Sequence, residues 1–461
     1  MQGSPFAHRR VVVLGLGVHG GGAAVARWLA RQGAQVTVTD LKTRVELAPS
    51  LKTLKGLPIR YVLGTHPMRL LSRCDLVVQN PAVPANHPFL KAAARLGVAV
   101  ENEASLFLKL CPSQRVVAVT GTRGKSTTVS LLGAMLRHTW PRTVVAGNIR
   151  DTVLFDALDR LTPRTPLALE LSSWQLELVG KHQLRIPLAV VTNVLPDHLN
   201  RYPSFAAYAR AKSFIFTYQD KQDALVLNYD NPITRGFAQR ARGRVYWVSL
   251  RRAVPRGCFV RGVVVHWRDG AVNERLFSVS DLVLTGEHNL YNALSAAAAA
   301  RLMGVTPSSI CQAIRSFQGL HDRLELVRTM GGVRFVNDTT ATSPDATLSA
   351  LASFGKAPIV LIAGGADKAL PYNKLARRLR QSVSALVLLP GSATAKLQAA
   401  LRGFPRQLLA RSMPEAVKLA RQLAPRGSVV LLSPGAASFG LFRHEFERGE
   451  AFRRSVRRLP R

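Results

Sequence analysis

VVAVTGTRGKST, Val116–Thr127, runs from an apolar strand through a glycine turn into a helix start. In such an arrangement the backbone N–H groups of the turn and the positive end of the helix cradle a polyphosphate. Lys125 then reaches its outer oxygens, and Ser126 or Thr127 can hold Mg2+. Gly121 and Gly124 bend the turn, with Thr122 inside it. The loop is GxxGKS, shorter than the common GxxxxGKS, so a plain glycine turn before a polar helix cap is the competing reading. A second stretch, LALELSSWQLE at Leu167–Glu177, ends another apolar strand in a carboxylate, Glu170, where a further ligand for the same metal is useful. Together they predict an ATP-dependent enzyme.

Outward from this centre, 461 residues suffice for about three domains of roughly 150 residues each. A hydrophobic content of 47% with 20% charged residues describes an ordinary globular chain. Four scattered cysteines (Cys74, Cys111, Cys258, Cys311) without a CxxC argue against a zinc site or disulfide scaffold and fit a reducing cytosol. The apolar run Val11–Leu14 is too short for a signal peptide, and no run approaches a membrane span, so the expectation is a cytoplasmic protein without a membrane partner.

Lys and Arg number 63 against 27 Asp and Glu, a net +36. An excess of this size can mark a nucleic-acid binder. Here the basic residues are spread along the chain, with dense spots only at Arg377–Arg380 and Phe452–Arg461, and no RNA-binding aromatic signature, zinc finger or basic heptad region accompanies them. No specific nucleic-acid partner is expected; attraction for anionic nucleotide substrates is the simpler consequence.

The first hundred residues alternate short strands with helical stretches (Val11–Leu14, Ala23–Arg31, Gln35–Thr39, Leu76–Gln79, His87–Leu96, Ala99–Glu101), a βαβ pattern that implies a parallel sheet. Gly15-Leu16-Gly17-Val18-His19-Gly20 lies between the first strand and helix, and Asp40 closes the next strand, which is the dinucleotide fingerprint in its usual context. Alone it suggests a nicotinamide reductase. The later phosphate loop favours another diphosphate, such as a nucleotide-sugar. In the middle third, Leu188–Asn193 leads into NVLPDHLNRY and a helix at Ser204–Thr217; strands follow at Ala224–Asn228, Val245–Ser249 and Val263–Trp267, then the small-residue helix of LTGEHNLYNALSAAAAARLMG. The α/β rhythm restarts near Leu320, so we place domains at 1–103, 104–319 and 320–461.

Further candidates sit at strand ends, where ligands of α/β sheets collect. Asn193, Asp197 and His198 follow one strand, although histidine is not a usual Mg2+ ligand and a solvated loop residue remains open. Asp338 ends another in RFVNDTTATSPDA, with a helix N-cap as its alternative. IVLIAGGADK places Lys368 after a glycine turn, to meet an anion or merely to cap the turn, and LLSPGAASFGLF offers Ser433 or Ser438.

VTGTRGKST, NIR at Asn148–Arg150, ELSSWQLE, TNVLPDHLNRY, YARAKS, GEHNLYNALSA, GLHDRLE, NDTTATS, GGADK and LLSPGAASF occur in the order found in the Mur ligase family, which this chain resembles over nearly its whole length. ELSSWQLE and the N-terminal GxGxxG are most similar to the D-glutamate-adding members. The resemblance implies an α/β protein of three domains: a Rossmann-like N-terminal domain for the UDP-linked substrate, a phosphate-loop-type central ATPase, and a mobile Rossmann-like C-terminal domain for the amino acid. It implies phosphorylation of the carboxylate of UDP-N-acetylmuramoyl-L-alanine by ATP, attack of D-glutamate on the acyl phosphate, and a monomer using ATP and two Mg2+ ions.

Residue by residue, the resemblance makes Lys125, Ser126, Thr127 and Glu170 the phosphate and first metal site, and His198 with Lys212 the second. In the family the lysine matching Lys212 is carbamylated; an unmodified surface lysine is the alternative. Asn289, Asn292, Arg323 and Asp338 match adenosine and phosphate contacts. Gly15, Gly17, Val18, His19, Asp40, Lys42, Asn80 and Asn148 fall on the UDP-substrate side, and Thr342, Lys368, Ser438 and Phe446 where D-glutamate is held. The chain departs from the pattern at Arg123 (usually Asn), Thr340 (usually Lys), Asn80-Pro81-Ala82 (usually Ser-Pro-Gly), Lys42 near a common Arg, Asp322 in HDR (usually PHR) and Gly440 (usually acidic). These departures bear on substrate recognition more than on reaction type.

Overall fold

The computed structural model describes residues 4–17, 20–147, 153–198, 201–284, 286–355, 357–368 and 370–460. They form two compact units, one of residues 1–283 with 288–317 and one of 284–287 with 318–461.

The first unit holds two sheets. Strands β1 (Arg10–Leu14), β2 (Gln35–Asp40), β3 (Ile59–Leu63), β4 (Leu76–Gln79) and β5 (Ala99–Asn102) pair in parallel in the order β3-β2-β1-β4-β5. Successive strands diverge from β1, and Gly15 and Asn80 leave β1 and β4 at the resulting crevice, where doubly wound sheets bind ligands. A Cβ on Gly15 would lie 2.9 Å from Cβ of Asn80, so the two loops are in contact.

The second sheet contains β6 (Val116–Thr120), β7 (Val144–Ala146), β8 (Leu167–Glu170), β9 (Leu188–Val191), β10 (Ala224–Asn228), β11 (Arg244–Ser249), β12 (Arg256–Arg261), β13 (Val264–Asp269) and β14 (Val272–Ser278). Its order is β14-β13-β12-β11-β10-β9-β6-β8-β7. From β7 to β12 the pairing is parallel, and the central strands are Val/Leu/Ala runs buried on both faces, as a sheet covered by helices requires. Because β6 lies between β8 and β9, the phosphate loop, Glu170 and the Asn193 loop leave the sheet side by side.

The second unit is one six-stranded sheet of β15 (Glu325–Met330), β16 (Val333–Asn337), β17 (Ile359–Gly364), β18 (Ala385–Leu389), β19 (Gln407–Leu409) and β20 (Val429–Leu432), in the order β15-β16-β20-β17-β18-β19. Helices Pro344–Ala352, Asn373–Ser382 and Ser392–Ala400 cover one face, and Met413–Leu423 and Glu445–Arg457 the other. The loops after β16, β20 and β17 are neighbours, which brings together the segments carrying Thr342, Ser438 and Lys368.

The structure corrects several boundaries. The helix expected over Ser204–Thr217 spans Phe205–Ser213, with Ser204 as its N-cap accepting from Ala207 N–H. Strands β3, β7, β12, β14, β15 and β19 escaped the sequence pattern. For β12–β14 a signal was present: Gly262 and Gly270 stand at the two hairpin turns with φ of 61° and 60°, and Asp269-Gly270 is a common hairpin dipeptide.

Candidate functional site

In the first unit β6 delivers the chain into the turn Gly121–Gly124, and the helix Lys125–Arg137 begins at once. Gly124 is the N-cap, left-handed at φ 84°, and a Cβ there would lie 2.1 Å from Oδ1 of Asn292. Only glycine meets both demands. The same contact places Asn292 against the phosphate loop, and Asn292 donates to Asn289 at 3.3 Å, so the two buried asparagines act as a pair. The loop is also clamped from β9: Asn193 accepts from Arg123 N–H at 3.0 Å and donates to its carbonyl at 3.1 Å, and Thr192 Oγ1 donates to that carbonyl at 2.6 Å. Asn193 therefore shapes the loop. Lys125 Nζ donates to the carbonyl of Thr122 at 3.2 Å.

Glu170 is 3% exposed, and its Oε2 has no hydrogen-bond partner. A buried carboxylate oxygen without a donor is costly unless a cation supplies one. With Ser126 and Thr127 also buried, oxygen donors of the kind Mg2+ prefers line this end of the sheet. Among the described residues no three His, Cys, Asp or Glu side chains gather into a metal cluster.

Lys212 is 2% exposed, which removes the surface-lysine reading. Its Nζ donates to the Gly121 carbonyl at 2.6 Å and lies 4.7 Å from the centre of the Tyr208 ring. Burial, and then the charge of Lys125, hold the amine well below its ordinary pKa, against the pull of Asp197 and Glu170. His198 has a left-handed backbone (φ 53°), and its ring packs between Trp174 and Tyr208 with centroids 5.3 and 5.8 Å away. Burial lowers its pKa, with Asp197 acting in the opposite sense. Its side chain nevertheless remains 42% exposed.

Tyr208 and Trp174 escaped assignment from sequence. Tyr208 stands four residues before Lys212, hence on the same helix face, and its hydroxyl lies 3.1 Å from Thr122 Oγ1. Burial pushes its pKa up to about 12. Trp174 carries the Arg201 guanidinium 4.5 Å from its ring centre, and Arg201 donates to the Ala82 carbonyl at 3.2 Å, joining this loop to the one after β4.

The glycine loop after β1 is held by the chain's own carboxylates. Asp40 Oδ2 accepts from the N–H groups of Leu16 (2.8 Å) and Gly17 (3.0 Å), and its Oδ1 accepts from Lys42 N–H at 2.9 Å. Glu103 approaches the start of the first helix so closely that a Cβ on Gly21 would lie 2.6 Å from its Oε2. Burial raises the Glu103 pKa to about 7. The expected Val18, His19 and Asn148 lie outside the described residues.

In the second unit Lys368 Nζ donates to Thr342 Oγ1 at 2.9 Å, so two of the expected acceptor contacts meet and Lys368 is no mere turn cap. Ser438 is 4% exposed, and Phe446 lies on the helix Glu445–Arg457 with its ring 6.0 Å from that of His444. Asp338 does not cap a helix; Ser343 caps Pro344–Ala352 instead. Asp338 accepts from Ser433 Oγ at 2.9 Å and from Leu324 N–H at 3.2 Å, and burial raises its pKa to about 7 despite Arg323 nearby. Arg323 itself is exposed. Sequence reasoning passed over Arg448, a buried guanidinium just before the basic tail. It donates to Thr339 Oγ1 (3.0 Å), Thr339 O (2.9 Å) and Ala436 O (3.2 Å), tying the loop after β16 to the loop after β20.

Three family profiles match the chain in order: Mur ligase MurD-like, N-terminal domain, over 9–102; Mur ligase middle domain over 119–300; and Mur ligase, glutamate ligase domain, over 322–435. The UDP-N-acetylmuramoylalanine–D-glutamate ligase of Roseiflexus sp. (strain RS-1) is 48% identical over 463 residues, covering 98% of this chain and 99% of the relative. That of Caldanaerobacter subterraneus subsp. tengcongensis is 36% identical over 456 residues, covering 98% and 99%. Among solved structures, UDP-N-acetylmuramate-alanine ligase from Thermotoga maritima matches with a TM-score of 0.63 at 19% identity, over 98% of this chain and 99% of that one. The MurF ligase of Thermotoga maritima in complex with ADP matches at 0.58 and 17% identity, over 98% and 96%. At such identities the structural likeness speaks for the fold alone.

Proposed function

The chain belongs to the Mur ligase family, and we infer that it is an ATP-dependent amide ligase that adds D-glutamate to UDP-N-acetylmuramoyl-L-alanine in peptidoglycan synthesis. The observation that carries this reading is the full-length identity to D-glutamate ligases, reaching 48%. No helix among the described residues is long and apolar enough to cross a membrane, and the four cysteines are unpaired, which suits action in the cytoplasm.

A carboxylate is a poor electrophile, so the substrate carboxylate first attacks the γ-phosphorus of ATP, ADP leaves, and an acyl phosphate remains. The amine of D-glutamate then adds to the carbonyl carbon, the nitrogen loses a proton, and the tetrahedral intermediate expels phosphate to leave the amide. The N–H groups of the Gly121–Gly124 turn and Lys125 hold and neutralise the transferring phosphate, which is where such catalysis draws most of its force. Ser126, Thr127 and Glu170 are the residues to hold Mg2+, which when bound spreads phosphate charge and aligns its oxygens. Asn289 and Asn292, with Arg323 and Asp338, serve the nucleotide.

Lys212 fits a carbamate. Burial disfavours the charged form of this lysine, and the neutral amine is the nucleophile that CO2 needs: its lone pair forms the N–C bond, and one proton leaves. The product is an anion beside His198, which would add an oxygen ligand to those of Glu170 and Asp197 nearby. Thr342, Lys368, Ser438 and Phe446 serve the amino acid. The UDP end falls to Gly15, Gly17, Val18, His19, Asp40, Lys42, Asn80 and Asn148.

The test is phosphate release by the purified protein with ATP, Mg2+, UDP-N-acetylmuramoyl-L-alanine and a panel of amino acids. Release requiring all components and favouring D-glutamate supports the reading. Preference for L-glutamate or an uncharged amino acid overturns the acceptor, and release independent of the UDP-linked substrate overturns the reaction.

A further inference from the structure

Helices Met413–Leu423 and Glu445–Arg457 cover one face of the second unit's sheet, and between their outer sides runs a groove of about 950 Å³. That volume falls in the range of small-molecule sites. Its floor is apolar, made by Met330, Leu441, Phe442 and Leu459. Its rim is cationic. Lys418 and Arg421 stand on one helix, Arg454 on the other with Arg458 at its C-cap, at spacings that turn each pair toward the groove. Among the described residues no Asp or Glu lines it.

Favourable interaction with helix C-termini explains basic residues in the last turns. It does not explain why both helices aim them at one apolar hollow that no described Asp or Glu lines. Arg453, the next residue inward on the same helix, is paired with Asp322, Glu325 and Glu450. Among the described residues none of the four rim cations forms an ion pair. Like charges gathered at a low-dielectric wall repel one another, and an anion placed between them relieves that repulsion while gaining charge-assisted hydrogen bonds. Thr342, Lys368, Ser438 and Phe446 do not line this groove, so it is separate from the proposed acceptor site.

We propose that this groove binds a discrete amphipathic anion: one molecule with an apolar chain or ring against Met330, Leu441 and Phe442, and a phosphate, sulfonate or carboxylate head among Arg421, Arg454 and Arg458. A concave site of this size takes a single molecule; a flat anionic surface would meet the rim and leave the floor empty.

The experiment is calorimetric titration of the full chain with dodecyl phosphate below its micelle concentration, in the presence of saturating ATP. The wild type should bind one molecule per chain. Arg421→Glu/Arg458→Glu, two exposed or half-exposed sites, should weaken binding at least tenfold, and Phe442→Asp should do so from the apolar side. Lys374→Glu/Arg377→Glu, which changes the same net charge on the opposite face, should stay within twofold of wild type. Equal weakening in both double variants would reduce the effect to bulk charge and overturn the proposal. So would several molecules bound per chain, no binding at all, or vesicles of anionic phospholipid binding as tightly and through the same arginines.

Discussion

Lys212 Nζ donates a 2.6 Å hydrogen bond to the carbonyl of Gly121, the first residue of the phosphate loop. The helix Phe205–Ser213 is thereby attached to the turn that follows β6, and the lysine that YARAKS singled out is buried against that turn.

Because the folded pKa of Lys212 lies well below its ordinary value, the unfolded chain binds more protons between the folded value and about 10.4. Stability from this group therefore rises with pH through that window and is lowest below the folded pKa. In bicarbonate-free buffer, Lys212→Met should unfold at a temperature no lower than wild type at pH 7, and the wild type should gain on it as pH approaches 10. Turnover of Lys212→Met should be nearly absent, while Lys212→Ala should recover part of its activity with acetate or formate. A steep loss of stability in Lys212→Met at pH 7, or absence of any rescue, would count against a carbamate-forming lysine.

Lys125→Ala should leave the fold intact, since Lys125 is only part-buried at the first position of its helix. The cost should appear in kcat, by about 10²-fold or more, as for other removed contacts to transition-state charge. Near-normal kcat in a folded variant would remove the loop from the reaction.

Glu170→Gln keeps the shape of the side chain and removes the charge that awaits a cation. The Mg2+ concentration for half-maximal turnover should rise at least tenfold, and stabilisation of the protein by Mg2+ with ATP in thermal unfolding should shrink. An unchanged Mg2+ requirement would assign the metal elsewhere.

Lys368→Ala should raise KM for D-glutamate strongly while KM for ATP stays close to wild type. Thr340 offers the complementary test. Its hydroxyl donates to the Asp322 carbonyl at 3.0 Å and it is only half-buried, so Thr340→Lys should fold and retain activity. Equal changes in both KM values for Lys368→Ala would point to a structural rather than an acceptor-binding role.

Arg448→Met should destabilise the second unit by about 3 kcal/mol or more, because Thr339 O and Ala436 O lose donors in a buried setting. That corresponds to a fall in Tm on the order of 10 °C. Arg448→Lys should recover little, since one ammonium cannot span both loops as the planar fork does. Where the variant still folds, KM for D-glutamate should rise more than kcat falls, as expected of a positioning residue between the Thr342 and Ser438 loops.

The sequence by itself determined the α/β class and the order of the glycine turn, the Glu170 strand and the strand-end loops of the second unit, and it singled out Lys125 and Glu170 as candidates for phosphate and metal chemistry. These are local properties: an apolar run of strand length, a glycine where φ must be positive, a charged residue at the strand's end. Weakly apolar edge strands such as β14 and β15 were lost because their outward residues are polar and their pairing is with neighbours in space. Only the tertiary structure decided that Lys212 is buried against Gly121, that Asp40 accepts from the N–H groups of Leu16 and Gly17, that Glu103 reaches Gly21, and that Arg448 joins two loops. Each of these depends on which distant segments meet and how much water they exclude. Burial and partner distance set the charge state of a lysine or a carboxylate, and a linear pattern carries neither.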